Sequence, residues 1–488
     1  MLTLKQITMK IFGFFLIISV SVFSQNTNDV LRLAFPGLGV GGRALGMGNS
    51  YVGVSDDASA SYFNPAGLGL VKRMEFSGGI DYYKMSNSAT LFGNTTDYSN
   101  SSTQINQLAF VFPFPTLQGS LVFGVAYNQN TNLTSALNFD GFNPGDNSRI
   151  QYLTNQNSDL IYDLLLSFPV YDQSNNYLYD STNIQGKLNQ NGLRLNSGSV
   201  QTWALSTAVE IYKNLFVGGT LNIISGEFSS SFDYYEEDIL HLYQNVLTDP
   251  TVPATKGFQS LYMNSLLNWD ISGWDLKIGL LYQLNKISRV GATLQFPKSY
   301  TIKEKYSVDA YSQFASNTVY LQNPEDYESI VEYDILTPFV LSTGASFNYM
   351  GFLASGEISF TDYSQSEFSN PRNISQREIV EMNKEIKSLL GSAINYNLGV
   401  EYTFPLIGLR LRGGYFTQQS AYKTDPSDFD RKFLTGGAGF LVDETMSVDL
   451  TYLHGWWKDY GDNYGYNLSR TFQKISVDRL MLSFSYRF

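Results

Sequence analysis

The chain has 488 residues, with 34 Tyr, 34 Phe and 41 Gly, no Cys, and only 16% charged side chains. A formal net charge of −12 argues against a nucleic-acid partner, whose phosphates call for basic patches. The lack of cysteine removes any disulfide framework, and the mean hydropathy of −0.15 fits a wall that wets every second residue.

Taken in chain order, Lys5 and Lys10 precede an apolar run from Ile11 to Val22, followed by Ser24 and Gln25. This reads as a secretory signal peptide over residues 1–24, cleaved after Ser24. The run is shorter than the roughly 20 residues a membrane helix needs, and no later stretch comes closer, so any membrane crossing must be made by strands. About fifty residues, 25–73, then precede the first strand, and they are neither low in complexity nor highly charged.

From Met74 onward the dominant signal is alternation with a period of two. Ile394, Tyr396, Leu398, Val400, Tyr402 and Phe404 fall on one face, with Asn395, Asn397, Gly399, Glu401 and Thr403 on the other. The final segment repeats the pattern, with Leu480, Leu482, Phe484, Tyr486 and Phe488 against Arg479, Met481, Ser483, Ser485 and Arg487. Its terminal aromatic resembles the C-terminal signal of outer-membrane barrels. A lipid-facing wall around a polar lumen produces this alternation, and aromatic girdles and small residues suit it. Runs of this kind begin near Met74, Ile105, Gln118, Val200, Leu215, Gly273, Ser288, Leu336, Gly351, Ala393, Gly408, Lys432, Thr445 and Ile475. The expected fold is all-β, a fourteen-stranded antiparallel transmembrane barrel over residues 74–488, the even count leaving no open edge.

The connectors are expected to alternate strictly between short and long. Short ones include Lys213 with Asn214, Asn285 to Ile287, Pro405 to Ile407, and Asp443 with Glu444. Long ones run from Thr131 to Ser199, Ser229 to Ser272, Pro297 to Ile335 and Ser364 to Ser392. Short turns on the periplasmic side and long extracellular loops put both termini in the periplasm. Two loop helices are expected. Ile239, Tyr243, Val246 and Leu247 share a helical face, as do Ile379, Met382, Ile386 and Leu389, with Ser375 and Glu378 as a capping box and Gly391 as a stop. Their apolar stripes serve either as a hydrophobic landing site or for packing within the loops.

A fourteen-stranded lumen lies between the filled and the open barrel sizes and would leak unless occupied, and segment 25–73 is the expected plug. It contains Gly41-Gly42-Arg43-Ala44-Leu45-Gly46-Met47-Gly48, then Asp56-Asp57-Ala58-Ser59-Ala60, then Asn64-Pro65-Ala66-Gly67-Leu68. Gly46 and Gly48 allow close backbone approach, Asp56 and Asp57 suit caps, and Asn64 before Pro65 favours an extended backbone. This order of motifs resembles the hatch of the FadL/TodX family of outer-membrane transporters. The resemblance implies a channel for uptake of hydrophobic small molecules, long-chain fatty acids foremost, by passive diffusion past a hatch made by Gly42, Arg43, Ala44, Gly46, Gly48, Asp56, Asp57, Asn64, Pro65, Ala66 and Gly67. It also implies capture at the outer loops and a sideways exit at a kink in the third strand, where Gly119 and Gly124 stand. The rival reading is a FadL-like barrel of the PorV kind, which holds protein partners for secretion or surface assembly.

Parity places Arg410, Arg412 and Lys277 in the lumen, where a cation could hold a carboxylate; the alternative is that they pair with inward acids such as Glu401, Glu357, Asp56 or Asp57. Ile239, Tyr243 and Leu247 are the apolar contacts expected at the loops. No enzyme and no cofactor is expected. The two histidines, His241 and His454, support neither a metal cluster nor a nucleophile, and Asp425, Asp428 and Asp430 lack an EF-hand spacing.

Overall fold

The computed structural model describes residues 27–443, 445–465 and 467–488. The expected cleavage site at Ser24 lies outside them. Among the described residues fourteen antiparallel strands close into a barrel. They are β1 Glu75–Leu91, β2 Asn94–Phe114, β3 Leu121–Asn132, β4 Asn189–Tyr212, β5 Leu215–Glu237, β6 Phe258–Gln283, β7 (Ser288–Gln295 and Ser299–Phe314), β8 (Glu328–Leu336 and Val340–Tyr349), β9 Phe352–Asp362, β10 Ser392–Phe404, β11 Leu409–Gln418, β12 Arg431–Val442, β13 Met446–Asp462 and β14 Arg470–Arg487. The ring closes through β1 and β14, in register from Glu75 opposite Arg487 to Thr90 opposite Phe472.

Alternation sets the two faces. On β10, Leu398 is 56% exposed while Asn395 and Glu401 are buried, and on β14 Leu480, Leu482, Phe484 and Tyr486 point outward while Arg479 and Met481 point in. An exposed aliphatic and aromatic surface of this kind is stable only against lipid.

The strands are taller than apolar alternation alone indicates. β6 has 26 residues, about 86 Å of chain or roughly 65 Å of height at a 40° tilt, against an apolar band of about 25 Å. Much of the expected loop sequence, such as Ser229 to Glu237 and Phe258 to Ser272, continues as strand above that band. Alternation persists there with the faces exchanged: Phe232, Leu261, Met263, Trp269 and Ile271 are buried inside and polar residues face outward, because above the lipid the outer face meets water. The expected strict rhythm of connectors therefore fails once. β1 and β2 join at the long-loop end through only Phe92 and Gly93, both at positive φ (48° and 88°), a tight hairpin of the primed type.

Two prolines reset the parity of neighbouring strands. Inward residues of β7 are odd up to Gln295 and even from Tyr300, and β8 switches correspondingly between Ser342 and Ile335. Pro297 and Pro338 stand at these breaks, as expected of residues that cannot donate to the ladder.

Of the two expected loop helices one forms. Counted after the short loop helices α3 (Arg149–Asn155) and α4 (Asp159–Asp163), α5 (Gln376–Leu389) carries the full Ser375–Glu378 capping box and buries Ile379 and Ile386, while Leu389 stays 40% exposed. Gly391 adopts no positive φ, since Leu390 already turns extended. The segment from Ile239 to Leu247 is not a helix. The Asp238 carboxylate accepts the Leu242 and Tyr243 amides at 2.9 and 2.8 Å, His241 sits at φ 57°, and Leu247 bridges to Lys256. The short acceptor outcompetes a helical turn, and Ile239 faces solvent while Tyr243 is buried.

Candidate functional site

The residues from 27 to 73 add no strand to the barrel and lie in its lumen. They begin with α1, Thr27–Ala34, whose Val30, Leu31 and Leu33 pack among Phe228, Trp269, Ile302 and Tyr333 of the wall and Ile379 and Ile386 of α5. Arg32 lies over the Phe228 and Trp269 rings at 4.1 and 5.1 Å and pairs with Asp29.

The first motif forms the short helix α2, Gly42–Gly46, and a sharp reversal at Gly48, whose φ of 60° favours glycine. The wall is shaped to receive it. A Cβ on Gly399 would lie 2.3 Å from the Met47 carbonyl oxygen, and one on Gly414 would lie 2.2 Å from the Gly48 nitrogen. Gly279 and Gly291 make the same allowance for Asn64 and Val52. These wall glycines are contact surfaces for the segment. Around Ala58, Ala60 and Leu68 the wall of β2 to β4 presents Ala109, Ala126, Ala204 and Ala208, small enough for close packing.

Charge fixes the segment at the short-turn end. Arg43 forks onto Glu401 through Nε and Nη2, both at 3.0 Å, and its Nη1 reaches Asp56 at 2.5 Å and the Tyr51 hydroxyl at 3.2 Å. Glu401 is shared with Arg412 at 2.6 Å, Arg412 holds Asp449 at 2.5 Å, and Asp56 is shared with Arg289 at 3.0 Å. One alternating chain, Asp449–Arg412–Glu401–Arg43–Asp56–Arg289, thus crosses from wall to segment and back to wall. Asp57 accepts the Ser59 amide at 2.9 Å and the Tyr51 hydroxyl at 2.5 Å, capping the short turn at Ala58. Glu357 accepts the Tyr51 and Val52 amides, each at 3.0 Å.

In the third motif Asn64 is extended and caps the turn Pro65–Leu70 by accepting the Ala66 amide. Its amide nitrogen also binds the carbonyls of Val52 at 2.9 Å and Leu280 at 3.0 Å. A Cβ on Gly67 would lie 2.0 Å from the Ser55 carbonyl oxygen. Ala44 and Ala66 are fully buried.

The irregular wall beside the segment is not where the glycines of the third strand stand. Gly119 lies in the turn before β3, at φ 71°, and Gly124 lies in unbroken register with Val111 and Ser206. The extra residues are Asn106, unpaired between Gly79 and Ile80 of β1, and Asn130, unpaired opposite β4. Asn106 accepts the Gly41 amide at 3.0 Å and donates to the Gly39 and Gln129 carbonyls, both at 3.3 Å. The Asn130 carbonyl accepts the Leu38 amide at 3.1 Å, and its side chain donates to the Tyr62 hydroxyl at 3.2 Å. The β2–β3 ladder ends at Gln107 opposite Asn128. Higher up, side chains take over, Gln129 to Gln104 at 2.9 Å and Asn132 to Ser102 at 2.7 Å. The outward residues Leu108 and Ile105 are three apart in sequence, an odd spacing that marks the bulge.

The expected cations differ in fate. Arg412 is committed to Glu401 and Asp449, as the alternative of pairing with inward acids holds. Lys277 binds the Tyr62 carbonyl at 2.5 Å and lies 5.0 Å from its ring. The Arg410 side chain makes no ion pair or hydrogen bond among the described residues. Tyr243 is used within the loops, donating to Gly186 at 2.8 Å, while Ile239 is exposed, so these two and Leu247 form no common stripe. Arg289, Asp449, Asn106 and Asn130 were not singled out by sequence. Arg479 was placed only on an inward face, and it proves to bind Asp81 and the Leu38 and Gly39 carbonyls.

Fold and seat together define a closed transmembrane barrel whose lumen is occupied by its own N-terminal segment. No family model matches the sequence, and no curated protein matches it. Solved structures do. A FadL homologue of Pseudomonas aeruginosa aligns with a TM-score of 0.59 at 12% identity over 93% of this chain and 100% of that one. The toluene transporter TodX of Pseudomonas putida gives 0.55 at 16% over 92% and 99%, and the monoaromatic hydrocarbon channel CymD gives 0.51 at 16% over 93% and 99%. The chain has the FadL-type fold.

Proposed function

We propose that this protein is an outer-membrane channel through which hydrophobic small molecules pass passively, with the short-turn end in the periplasm and the segment from 25 to 73 acting as plug. The observation that carries the reading is the coincidence, on one side of the lumen, of an occupied bore and an interrupted wall. The axial path is filled down to the Arg43 chain, and beside it the β2–β3 ladder gives way to side-chain amides at Asn106 and Asn130. Amide contacts between side chains exchange more readily than a continuous backbone ladder, because no strand must be unpaired to break them. A hydrophobic molecule gains about 25 cal/mol per Å² on leaving water, so its movement toward the bilayer needs no energy source. The likeness to a toluene transporter and a monoaromatic hydrocarbon channel supports this class of substrate; long-chain fatty acids belong to it by the same chemistry.

The test is transfer of labelled toluene and of a labelled long-chain fatty acid through proteoliposomes. Acceleration of at least one over protein-free vesicles is expected, with polar solutes excluded until residues 25–73 are deleted. No acceleration of either ligand refutes the channel reading. A stoichiometric protein partner recovered on the long loops in that case points to a secretion or assembly role.

A further inference from the structure

We infer that an outward groove between β14, β1 and β2, just above the apolar band, seats the phosphorylated headgroup of an outer-leaflet lipid, with Lys474 supplying the charge. The outer face of β13, β14 and β1 changes character at one level. Up to Tyr452, Leu480 and Tyr82 it is apolar and exposed. The next rows across the ladders are His454–Asp478–Lys84, Trp456–Ser476–Ser86 and Lys458–Lys474–Ser88. Headgroups begin at such a level, and the rings of Tyr82, Tyr452 and Trp456 stand there as an interfacial belt does.

Lys458 and Lys474 stand directly opposite each other, a pairing that weakens a ladder unless an anion lies against it. Lys458 is matched by Asp428 at 2.6 Å, whereas Lys474 makes no ion pair or hydrogen bond among the described residues. Lys474 instead borders a groove of about 520 Å³, together with the hydroxyls of Ser86, Ser88, Ser99 and Ser476. An ammonium beside several hydroxyl donors suits phosphate oxygens, and a groove of this size fits a sugar phosphate, since a bare ion would leave most of it to water. Asp97 is the acid in the lining, and the nearby Asp478 already accepts from His454 Nδ1 at 2.9 Å and from the Tyr452 hydroxyl at 2.5 Å. Outward lysines on the opposite arc are neutralised locally. Lys303 stands between Asp270 and Glu332, and Lys305 pairs with Glu328 at 3.4 Å. An anionic headgroup is therefore drawn to the β14 arc although the whole chain carries a charge of −12. Below the groove Leu480 and Leu482 continue the exposed apolar wall, so a lipid gains from chain and phosphate together, and free phosphate only from the second. The leaflet rests on the orientation proposed above; the headgroup chemistry rests on the groove alone.

The experiment is native mass spectrometry of the detergent-purified chain titrated with lipid A, a diphosphorylated acyl glycolipid, and with the same lipid after removal of its phosphates. Foldedness is checked by heat-modifiable gel mobility. Lipid A is expected to bind about tenfold more tightly than its dephosphorylated form, or better. Lys474→Gln should remove that difference and leave the dephosphorylated lipid unchanged, Lys474→Arg should keep it, and Asp97→Asn should enlarge it. Lys303→Gln, on the opposite arc, should change nothing. Equal binding of the two lipids, binding of neither, or a Lys474→Gln effect no larger than that of Lys303→Gln overturns the site. Displacement of lipid A by an equal concentration of inorganic phosphate overturns the lipid assignment in favour of a bare-anion site. Orientation is read separately with Ser174→Cys in a chain otherwise without cysteine. Labelling by an impermeant maleimide on intact cells is expected, and its absence overturns the outer leaflet whatever the lysine does.

Discussion

Replacement of Arg43 by glutamine probes the link between segment and wall most directly. The guanidinium makes two bonds of 3.0 Å to Glu401, one of 2.5 Å to Asp56 and one of 3.2 Å to the Tyr51 hydroxyl. Loss of one partner from a buried pair costs about 3–5 kcal/mol, mostly because a charge is left alone. Here neither acid is fully abandoned, since Glu401 keeps Arg412 and Asp56 keeps Arg289. The lower end, about 3 kcal/mol, is therefore the appropriate figure. Because these bonds join the segment to the wall, most of that loss falls on docking and little on the barrel. A 3 kcal/mol change alters the ratio of undocked to docked segment by roughly 100-fold. Planar-bilayer recordings of Arg43→Gln should show channel openings more frequent by about that factor, with an unchanged heat-modifiable shift of the barrel. Unchanged opening frequency would show that the Asp449-to-Arg289 chain does not hold the segment. Loss of the barrel itself would show that the chain is part of the wall's own stability.

Two further outcomes are expected. Leu398→Arg puts a charge on the lipid face at about 2–4 kcal/mol near the midplane and should sharply lower insertion into vesicles. Asn397→Arg should insert but lose the seat of the segment, because Asn397 donates to the Asn49 carbonyl at 3.1 Å; equal insertion yields and equal conductance would refute both assignments. In the long loop after β3, burial and the neighbouring Asp163 and Asp180 raise the Asp159 carboxyl above its usual range. A raised folded value favours the protonated form, so its contribution is present at low pH and lost as pH rises through the carboxylate range. Asp159→Asn should thus make this loop more protease-resistant at about pH 8 and leave it unchanged at about pH 3.5. A gain of equal size at both values would place the effect outside titration.

Sequence alone determined what depends on local geometry. A pleat turns every second residue to the same side, so the lipid-facing order of β10 and β14, and with it the inward position of Arg410 and Arg412, follows from the order of residues along each strand. The capping box of α5 and the turns at Lys213–Asn214 are likewise written within a few residues, as is the three-part motif that carries the resemblance of the segment. Outward apolar alternation lost the upper strands because there the apolar residues turn inward and the polar ones face water, and the helix expected at Ile239 was lost because a single Asp238 carboxylate redirected two amides.

What tertiary structure decided is how the lumen is joined. Arg43 meets Glu401 across 358 positions of sequence, and Gly42 meets Ser483 across 441. Which inward acid each arginine takes, which glycines give way to the segment, and which bulge interrupts the wall are set by strand stagger and by the path of the segment through the bore. Neither leaves a short-range signature. Gly124 had the chemistry for a kink and sits in regular ladder, whereas Asn106 and Asn130 interrupt it where the segment crosses the wall. Arg410 and Arg412 share one face two residues apart, yet only the stagger of β11, β12 and β13, which sets Gly439 between Arg410 and Asp449, brought Asp449 to Arg412 and left the Arg410 side chain without a partner among the described residues.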